Sequence, residues 1–146
     1  MQQEAADTAR AGAEEQTAHL CVPPEARYAR VVRLTAANLA SIAGLTVDEV
    51  DDVRMAAEEA FVYACATEPE GDLRVDFTLA PGSVRMTFHL GGAAVSEDAS
   101  EPALVYSALI LDAMCDECRI DDEPHAMHLL KRTGTVSPMS VPYVLA

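Results

Sequence analysis

Aromatic residues are scarce in this chain, and tryptophan is absent. Aromatic residues make up 5% of the 146 positions, whereas hydrophobic residues of all kinds make up 50%. Because half of the chain is hydrophobic, a sizeable core is available, and we expect it to consist mainly of Ala, Val, Leu, Ile and Met. A chain of this length suits one domain with a single core.

Basic residues are also few. Lys and Arg total 10 against 24 Asp and Glu, which gives a formal net charge of −14. A strongly acidic protein repels nucleic-acid phosphates and anionic lipid headgroups. We therefore expect no direct binding of DNA or RNA and no membrane association. The favoured partner is a protein with a basic surface or an apolar groove.

No apolar run is long enough to cross a bilayer, since the longest covers only residues 103–111. The first 16 residues are polar and acidic and contain no apolar signal segment. We therefore expect a cytoplasmic location. The four cysteines are expected to be reduced thiols and not a disulfide framework.

The composition divides the chain into three parts. Residues 1–16 are rich in Ala and Glu without an apolar stripe, which predicts a flexible acidic tail. Residues 17–133 carry the periodic apolar patterns of a folded domain. Residues 134–146 are interrupted by Pro138 and Pro142 and are predicted to form a C-terminal tail.

Three segments have the spacing of helices. Residues 25–43 carry an apolar stripe at steps of four and three, formed by Tyr28, Val32, Thr35, Leu39 and Ile42. A second helix is predicted to begin at Thr46, because Glu49 three residues later completes a capping box. Its predicted core stripe is Val50, Val53, Ala57, Phe61 and Ala64. A third, almost wholly apolar helix is predicted over residues 102–115.

Five segments have the pattern of strands. Apolar and polar residues alternate over residues 73–79 and 84–90, and the intervening Ala-Pro-Gly-Ser favours a hairpin. Shorter strands are predicted over residues 17–22, 117–120 and 125–131, the last two joined by the turn Asp-Asp-Glu-Pro. This order predicts an α+β fold, a two-layer α/β sandwich with helices on one face of a mixed, mostly antiparallel sheet.

Two stretches resemble a known family. The helix VDEVDDVRMAAEEAFVYACA is similar to the family helix that carries Glu-x-x-x-Asn, and AMCDECRI followed by HLLKR is similar to its last strands. Over residues 17–133 the chain resembles the bacterial anti-sigma-factor serine kinases. These form a branch of the superfamily that also contains the histidine-kinase ATPase domains and gyrase. The resemblance implies the histidine-kinase-like (GHKL) ATPase fold.

The resemblance also implies an ATP site with three motifs, and this chain departs from each. In the first motif, Glu acts as general base and Asn one turn later offers an oxygen to Mg²⁺. Glu59 matches the base and is carried over only as a relic of it. Tyr63 stands at the Asn position, where a bulky neutral phenol is a poor magnesium ligand.

The other two motifs hold the nucleotide itself. In the family's Asp-x-Gly-x-Gly, the Asp accepts a hydrogen bond from adenine; here Leu90 replaces the Asp, Gly92 is kept, and Ala94 replaces the second Gly. In the Gly-x-Gly that holds phosphate before the third helix, the matching residues are Val105 and Ser107. These departures predict weak or absent ATP binding.

The leading hypothesis is therefore a regulatory protein that acts by binding a partner, without a cofactor. The resemblance implies a sigma factor or an anti-anti-sigma (STAS-type) protein as the partner, and it also implies homodimerisation. The first alternative is an active serine/threonine protein kinase with atypical motifs, which would require ATP and Mg²⁺. Mg-ATP titration separates the two.

The second alternative is a structural or zinc-binding domain. Cys115 and Cys118 form a C-x-x-C, and His125 and His128 follow in the same short segment. The spacing argues against a site, because His-x-x-His on a strand sends the two rings to opposite faces. We therefore expect no metal here, with apolar thiols near a helix–strand junction and two surface or edge histidines.

Overall fold

The structure, a computed structural model, describes residues 15–93 and 109–134. Strand β1 is the first element of the described residues, and a 3₁₀ turn at Ala26–Tyr28 leads from it into two α-helices. The remaining strands follow, with a helical segment at residues 109–114, here α3, before β4. The bounds are β1 Gln16–Val22, α1 Ala29–Ile42, α2 Val47–Ala66, β2 Leu73–Ala80, β3 Ser83–His89, β4 Glu117–Asp122 and β5 His125–Arg132.

The five strands form one sheet in the order β1-β2-β3-β5-β4. All four neighbouring pairs are antiparallel. The predicted α+β class, with helices packed on a sheet, is confirmed. The sequence also suggested a mixed sheet, but the described strands contain no parallel pair. The hairpin of β4 and β5 explains this, because it places β5 beside β3 and leaves β4 at the edge.

One face of the sheet is apolar and covered by the helices. Inward-facing residues alternate along β2 and β3, as predicted, and their side chains are almost fully buried. Phe61 of α2 is completely buried with Phe77 and Phe88 of the sheet. Alanines fill most of the remaining helix positions in the core, as the composition suggested; they are Ala36, Ala40, Ala56, Ala57, Ala60 and Ala64.

The predicted capping box starts α2. Thr46 Oγ1 accepts a hydrogen bond from the Glu49 amide at 3.2 Å, and Glu49 Oε1 accepts one from the Thr46 amide at 2.8 Å. The predicted core stripe of α2 is also present. Four of its residues are buried and Val50 is half-buried.

The predicted core stripe of α1 is partly wrong. Val32 is completely buried, but Ile42 at the end of the helix is 69% exposed. Ala36 and Ala40 occupy the buried positions instead. The reason is that α1 packs tightly against α2, and small side chains allow this close approach where longer ones would not.

One further boundary differs from the sequence predictions. Strand β4 runs on through Asp121 and Asp122, so the turn to β5 is two residues long and not four. Only the end of the predicted helix over residues 102–115 is described, and residues 109–114 are helical there. Within the described parts of the chain, no helix is long and apolar enough to cross a membrane.

Candidate functional site

The candidate site lies where the C-terminal half of α2 meets the segment that follows β3. Glu59 and Tyr63 are one helical turn apart on α2 and therefore share a face of the helix. Both side chains are half-buried, and Tyr63 packs against the hydrophobic core. Thr67, one turn further along, is completely buried at the C-terminal end of α2.

Thr67 anchors the segment of residues 90–93 to this helix end. Its hydroxyl donates to the Ala64 carbonyl at 2.5 Å and accepts from the Gly91 amide at 2.7 Å. The Thr67 carbonyl accepts a further hydrogen bond from the Ala93 amide at 3.0 Å. The backbone after β3 is therefore bonded directly to the end of α2.

The first residue of β5 holds the same segment from the other side. The His125 carbonyl accepts from the Leu90 amide at 2.9 Å, and His125 Nδ1 donates to the Gly91 carbonyl at 2.6 Å. Gly91 is pressed so closely on the helix end that a Cβ at this position would overlap the carbonyl oxygens of Thr67 and Glu68. Glycine is therefore required at this close approach.

The structure places only some of the residues carried over from the ATP motifs. Leu90 is half-buried and packs against the core, whereas Gly92 is exposed and a Cβ at this position would meet no atom within 4 Å. The segment that contains Leu90 and Gly92 therefore contacts the C-terminal end of α2, the helix that carries Glu59 and Tyr63. The other three positions, Ala94, Val105 and Ser107, lie outside the described residues.

The side chains at the described positions limit the chemistry that is available here. Leu90 has no acceptor for an adenine amino group, and a nucleotide amine buried without a partner costs about 1–3 kcal/mol. Tyr63 offers a phenol where Mg²⁺ prefers carboxylate or amide oxygens. Glu59 places a carboxylate on the same face of α2 as Tyr63.

Sequence reasoning missed Thr67 and misassigned His125. The sequence predicts a surface or edge position for His125, but the residue is half-buried and its ring is bonded to Gly91. The pair Gly91–Gly92 was the available signal, since adjacent glycines after a strand indicate close backbone approach. The identity of the approached helix end could not be read from the sequence.

Sequence reasoning also missed a cluster of hydrogen bonds around Glu49 at the N-terminal end of α2. The Glu49 carboxylate accepts hydrogen bonds from Thr133 Oγ1 and from the Gly134 amide, each at 2.8 Å. Burial of Glu49, which is 6% exposed, opposes ionisation, but these bonds and those from Thr46 outweigh it and lower the pKa of Glu49.

A buried ion pair lies beside this hydrogen-bond cluster. Lys131 Nζ lies 3.1 Å from Asp52 Oδ2, and the two side chains are 3% and 15% exposed. The pair joins the first turns of α2 to the last residues of β5. Because burial makes an unpaired charge costly, this contact fixes how the end of the sheet meets the helix.

The two thiols of the C-x-x-C lie where their protonated form is favoured. Burial, together with the charge of Cys118, raises the pKa of the Cys115 thiol to about 12, and burial also raises the pKa of Cys118. Metal binding needs thiolates, which this setting disfavours. His128 Nε2 instead contacts Asp121 Oδ2 at 3.0 Å. Residues 15–93 and 109–134 contain no group of three metal-binding side chains with suitable placement.

The outer face of the sheet, opposite the helices, carries a charged cluster around Asp76. Its carboxylate accepts from His19 Nδ1 and His89 Nε2 at 2.6 Å each and from Arg74 Nε at 2.7 Å. Partial burial of Asp76 opposes ionisation, but these hydrogen bonds prevail and lower its pKa to about 2. Asp76 is therefore a fixed anion on this face.

An open cleft of about 430 Å³ lies at the edge of the sheet near β4. Its walls are polar and of mixed charge, formed by Arg85, Asp112, Asp116, Glu117, Cys118, Arg119 and His128. Glu59, Tyr63, Leu90 and Gly92, the carried-over residues that the structure describes, do not line it. The cleft is thus separate from the candidate site.

The fold and the site together define a two-layer α+β protein built like an ATPase domain. The family model for the histidine kinase-like ATPase domain matches residues 22–129. The chain therefore belongs to the histidine kinase-like ATPase domain family. Comparison with curated proteins finds no match.

Proposed function

We propose that this protein is an anti-sigma-factor-like regulator that acts by binding another protein, with its nucleotide chemistry lost. The observation that carries the proposal is the occupancy of the ATP-motif positions. Leu90 packs against the core where an adenine-binding Asp is required, and Tyr63 does so where a magnesium-binding Asn is required.

The geometry around residues 90–93 supports this proposal. The segment is bonded through its backbone to Thr67 on one side and to His125 on the other. Its amides at Leu90, Gly91 and Ala93 already have protein acceptors, so these groups do not serve as donors to a ligand. The hydrogen bonds of this segment therefore hold α2, the end of β3 and the start of β5 together.

The charge of the chain supports a protein partner. A formal net charge of −14 disfavours nucleotide polyphosphates as well as nucleic acids, and it accelerates encounter with a basic protein at low salt. The resemblance to the anti-sigma-factor kinases favours a sigma factor or an anti-anti-sigma (STAS-type) protein as this partner. A cytoplasmic location and a homodimer belong to the same proposal.

A protein serine/threonine kinase is the second candidate, because Glu59 is retained on α2 in a half-buried position. Such an enzyme would bind Mg-ATP at the helix face of Glu59 and Tyr63. Phosphoryl transfer depends on Mg²⁺ for charge stabilisation, so an active kinase would need a magnesium ligand other than Tyr63.

Thermal unfolding with and without Mg-ATP tests the proposal. A ligand at a hundredfold excess over its Kd stabilises the folded state by about 2.7 kcal/mol, so binding would raise Tm clearly. We expect no shift for the natural chain. The matched variant combines Tyr63→Asn with Leu90→Asp, which returns two of the family residues. A nucleotide-dependent rise in Tm for the natural chain favours the kinase and rejects the proposal.

The binding half of the proposal has its own test. Sigma factors and STAS-type proteins of the source cell are co-expressed one by one with the tagged chain and co-purified at low salt. We expect one of them to form a stable complex in the absence of nucleotide. If every sigma factor and STAS-type protein fails to co-purify, the anti-sigma assignment is wrong.

A further inference from the structure

Within the described residues, the sheet ends at strands β1 and β4. A strand at an edge presents a row of backbone N–H and C=O groups that have no partner in their own sheet, and such a row can pair with a strand of another chain. Proteins prevent this pairing with charged side chains, proline or β-bulges along the edge strand. The two edges of this sheet differ in that protection.

Strand β4 is protected by charge. Four of its six residues are charged, namely Glu117, Arg119, Asp121 and Asp122. If β4 paired with β4 of a second copy about its own centre, Glu117 would lie opposite Asp122, and like charges directly opposite each other are destabilising. This edge therefore disfavours pairing with its own copy.

Strand β1 has none of these protections. Its seven residues, Gln16–Val22, include no Asp, Glu, Lys, Arg or Pro, whereas each of the other four described strands contains at least one charged residue. All seven residues pair with β2 in one continuous register, so this strand contains no bulge. The edge at β1 is thus a regular strand without charge.

The side chains of β1 extend the apolar core to this edge. Ala18 and Leu20 pack against the core but are only half-buried. Thr17, His19 and Cys21 alternate with them on the outer face and are exposed. A further strand beside β1, with apolar residues on the same side as Ala18 and Leu20, would bury these two side chains more fully, and such burial is favourable.

Acidic charge beside β1 is compensated on the outer face. The carboxylate of Asp76, on the neighbouring strand, is bonded to His19, His89 and Arg74. The formal net charge of −14 still causes long-range repulsion between two copies, and salt screens such repulsion. A dimer that forms through β1 should therefore tighten as salt is raised.

We infer that β1 pairs with β1 of a second copy, antiparallel about a two-fold axis at His19, so that the two five-stranded sheets become one. This inference rests on the proposed function, which includes a homodimer, and it names the surface of that dimer. The register centred on His19 pairs all seven residues. In it Thr17 lies opposite Cys21 of the second copy, and Ala18 lies opposite Leu20 of the second copy.

The composition of β1 favours this occupant over a strand of another protein. A basic strand, which this acidic chain attracts, would find no acidic side chain along β1. A two-fold pair instead sets the strand against its own sequence, and an uncharged strand does this without like-charge contacts. Because β4 is charged, pairing stops at two copies.

Cross-linking of Thr17→Cys tests the register. The introduced thiol would lie opposite Cys21 of the second copy, where facing Cα atoms are about 4.5–5.5 Å apart and a disulfide can form. Within one chain the two positions are separated by about 13 Å along the strand, which is too far. We expect diamide to convert the full-length variant to a covalent dimer. The control, Thr17→Cys with Cys21→Ser, should not cross-link.

Sedimentation velocity with two matched double variants tests the contact in solution. Thr17→Glu with Cys21→Glu sets like charges opposite each other in the proposed register, whereas Thr17→Glu with Cys21→Lys sets opposite charges there. Both variants replace the same exposed residues, so a general effect of substitution is shared. We expect the natural chain to dimerise, and the Glu/Glu variant to have a dissociation constant at least about tenfold higher than the Glu/Lys variant.

Three results would overturn the inference. They are a natural chain that stays monomeric at all concentrations, a dimer that forms equally well in both double variants, and equal cross-linking of Thr17→Cys and its control. The first also removes the homodimer from the proposed function, and the second places the dimer on another surface. The regulatory role itself fails only if Mg-ATP binds or if no sigma factor or STAS-type protein co-purifies, so the two failures are distinguishable.

Discussion

The buried pair of Asp52 and Lys131 gives the sharpest test of the packing. The charged atoms are 3.1 Å apart, and the Lys131 side chain is 3% exposed. At an effective dielectric constant of about 20, two unit charges at this distance attract by about 5 kcal/mol before the cost of removing them from water. Asp52→Asn leaves the lysine charge buried without its partner, and we expect a loss of about 3 kcal/mol in the free energy of unfolding.

The adjacent residue provides a matched control. Asp51 pairs with Arg54 at 3.3 Å, but both side chains are about half exposed, at 54% and 48%. Asp51→Asn makes the same chemical change in water, and we expect a loss below about 0.5 kcal/mol. Urea denaturation followed by circular dichroism measures both variants at neutral pH.

The double variant Asp52→Leu with Lys131→Met completes the test. Replacing both members of a buried pair by apolar residues is often neutral or stabilising, so we expect this variant to recover most of the loss. The reasoning is refuted if Asp52→Asn is no more destabilising than Asp51→Asn. It is also refuted if the double variant is as unstable as Asp52→Asn alone.

Three further predictions concern single positions. The pKa of Asp76 is lowered to about 2 from 3.8, so the stability that this carboxylate contributes is present above about pH 4 and is lost as the pH falls towards 2. Asp76→Asn should therefore lower the free energy of unfolding by about 1–2 kcal/mol at pH 6 and by almost nothing near pH 2. Urea titrations of both proteins across this pH range measure the difference. Glu49→Gln should lower the free energy of unfolding by about 1–3 kcal/mol, because the carboxylate accepts hydrogen bonds from Thr46, Thr133 and Gly134. A change in the urea midpoint too small to detect would show that these hydrogen bonds do not stabilise the fold. Gly91→Ala should cost at least about 1 kcal/mol because its Cβ meets backbone carbonyls, while Gly92→Ala, with no atom within 4 Å of its Cβ, should be nearly neutral in the same assay.

Much of the fold could be predicted from local sequence patterns. The alternation along β2 and β3, the capping box at Thr46 and the core stripe of α2 each depend on neighbouring residues, so they could be read directly. The stripe of α1 could not, because the choice between Ile42 and Ala40 for the core depends on how closely α2 approaches. The pairing of β3 with β5 could not be predicted either, because the apolar period of a strand does not specify which strand lies next to it.

The candidate site was predictable only in part. The resemblance located Glu59, Tyr63 and Leu90, and the structure brings their elements together. The contacts of Gly91 with Thr67 and His125 could not be predicted, since they join residues far apart in the sequence through backbone atoms. The same is true of the pair Asp52 and Lys131, where each residue alone is typical of a solvated surface.

Isothermal titration of the natural chain with Mg-ATP at millimolar concentration tests the central claim most directly. The account predicts no saturable heat of binding and no change on replacing Glu59 by Gln. Saturable binding at a stoichiometry of about one, weakened by Glu59→Gln, would contradict it, because the nucleotide site would then be functional.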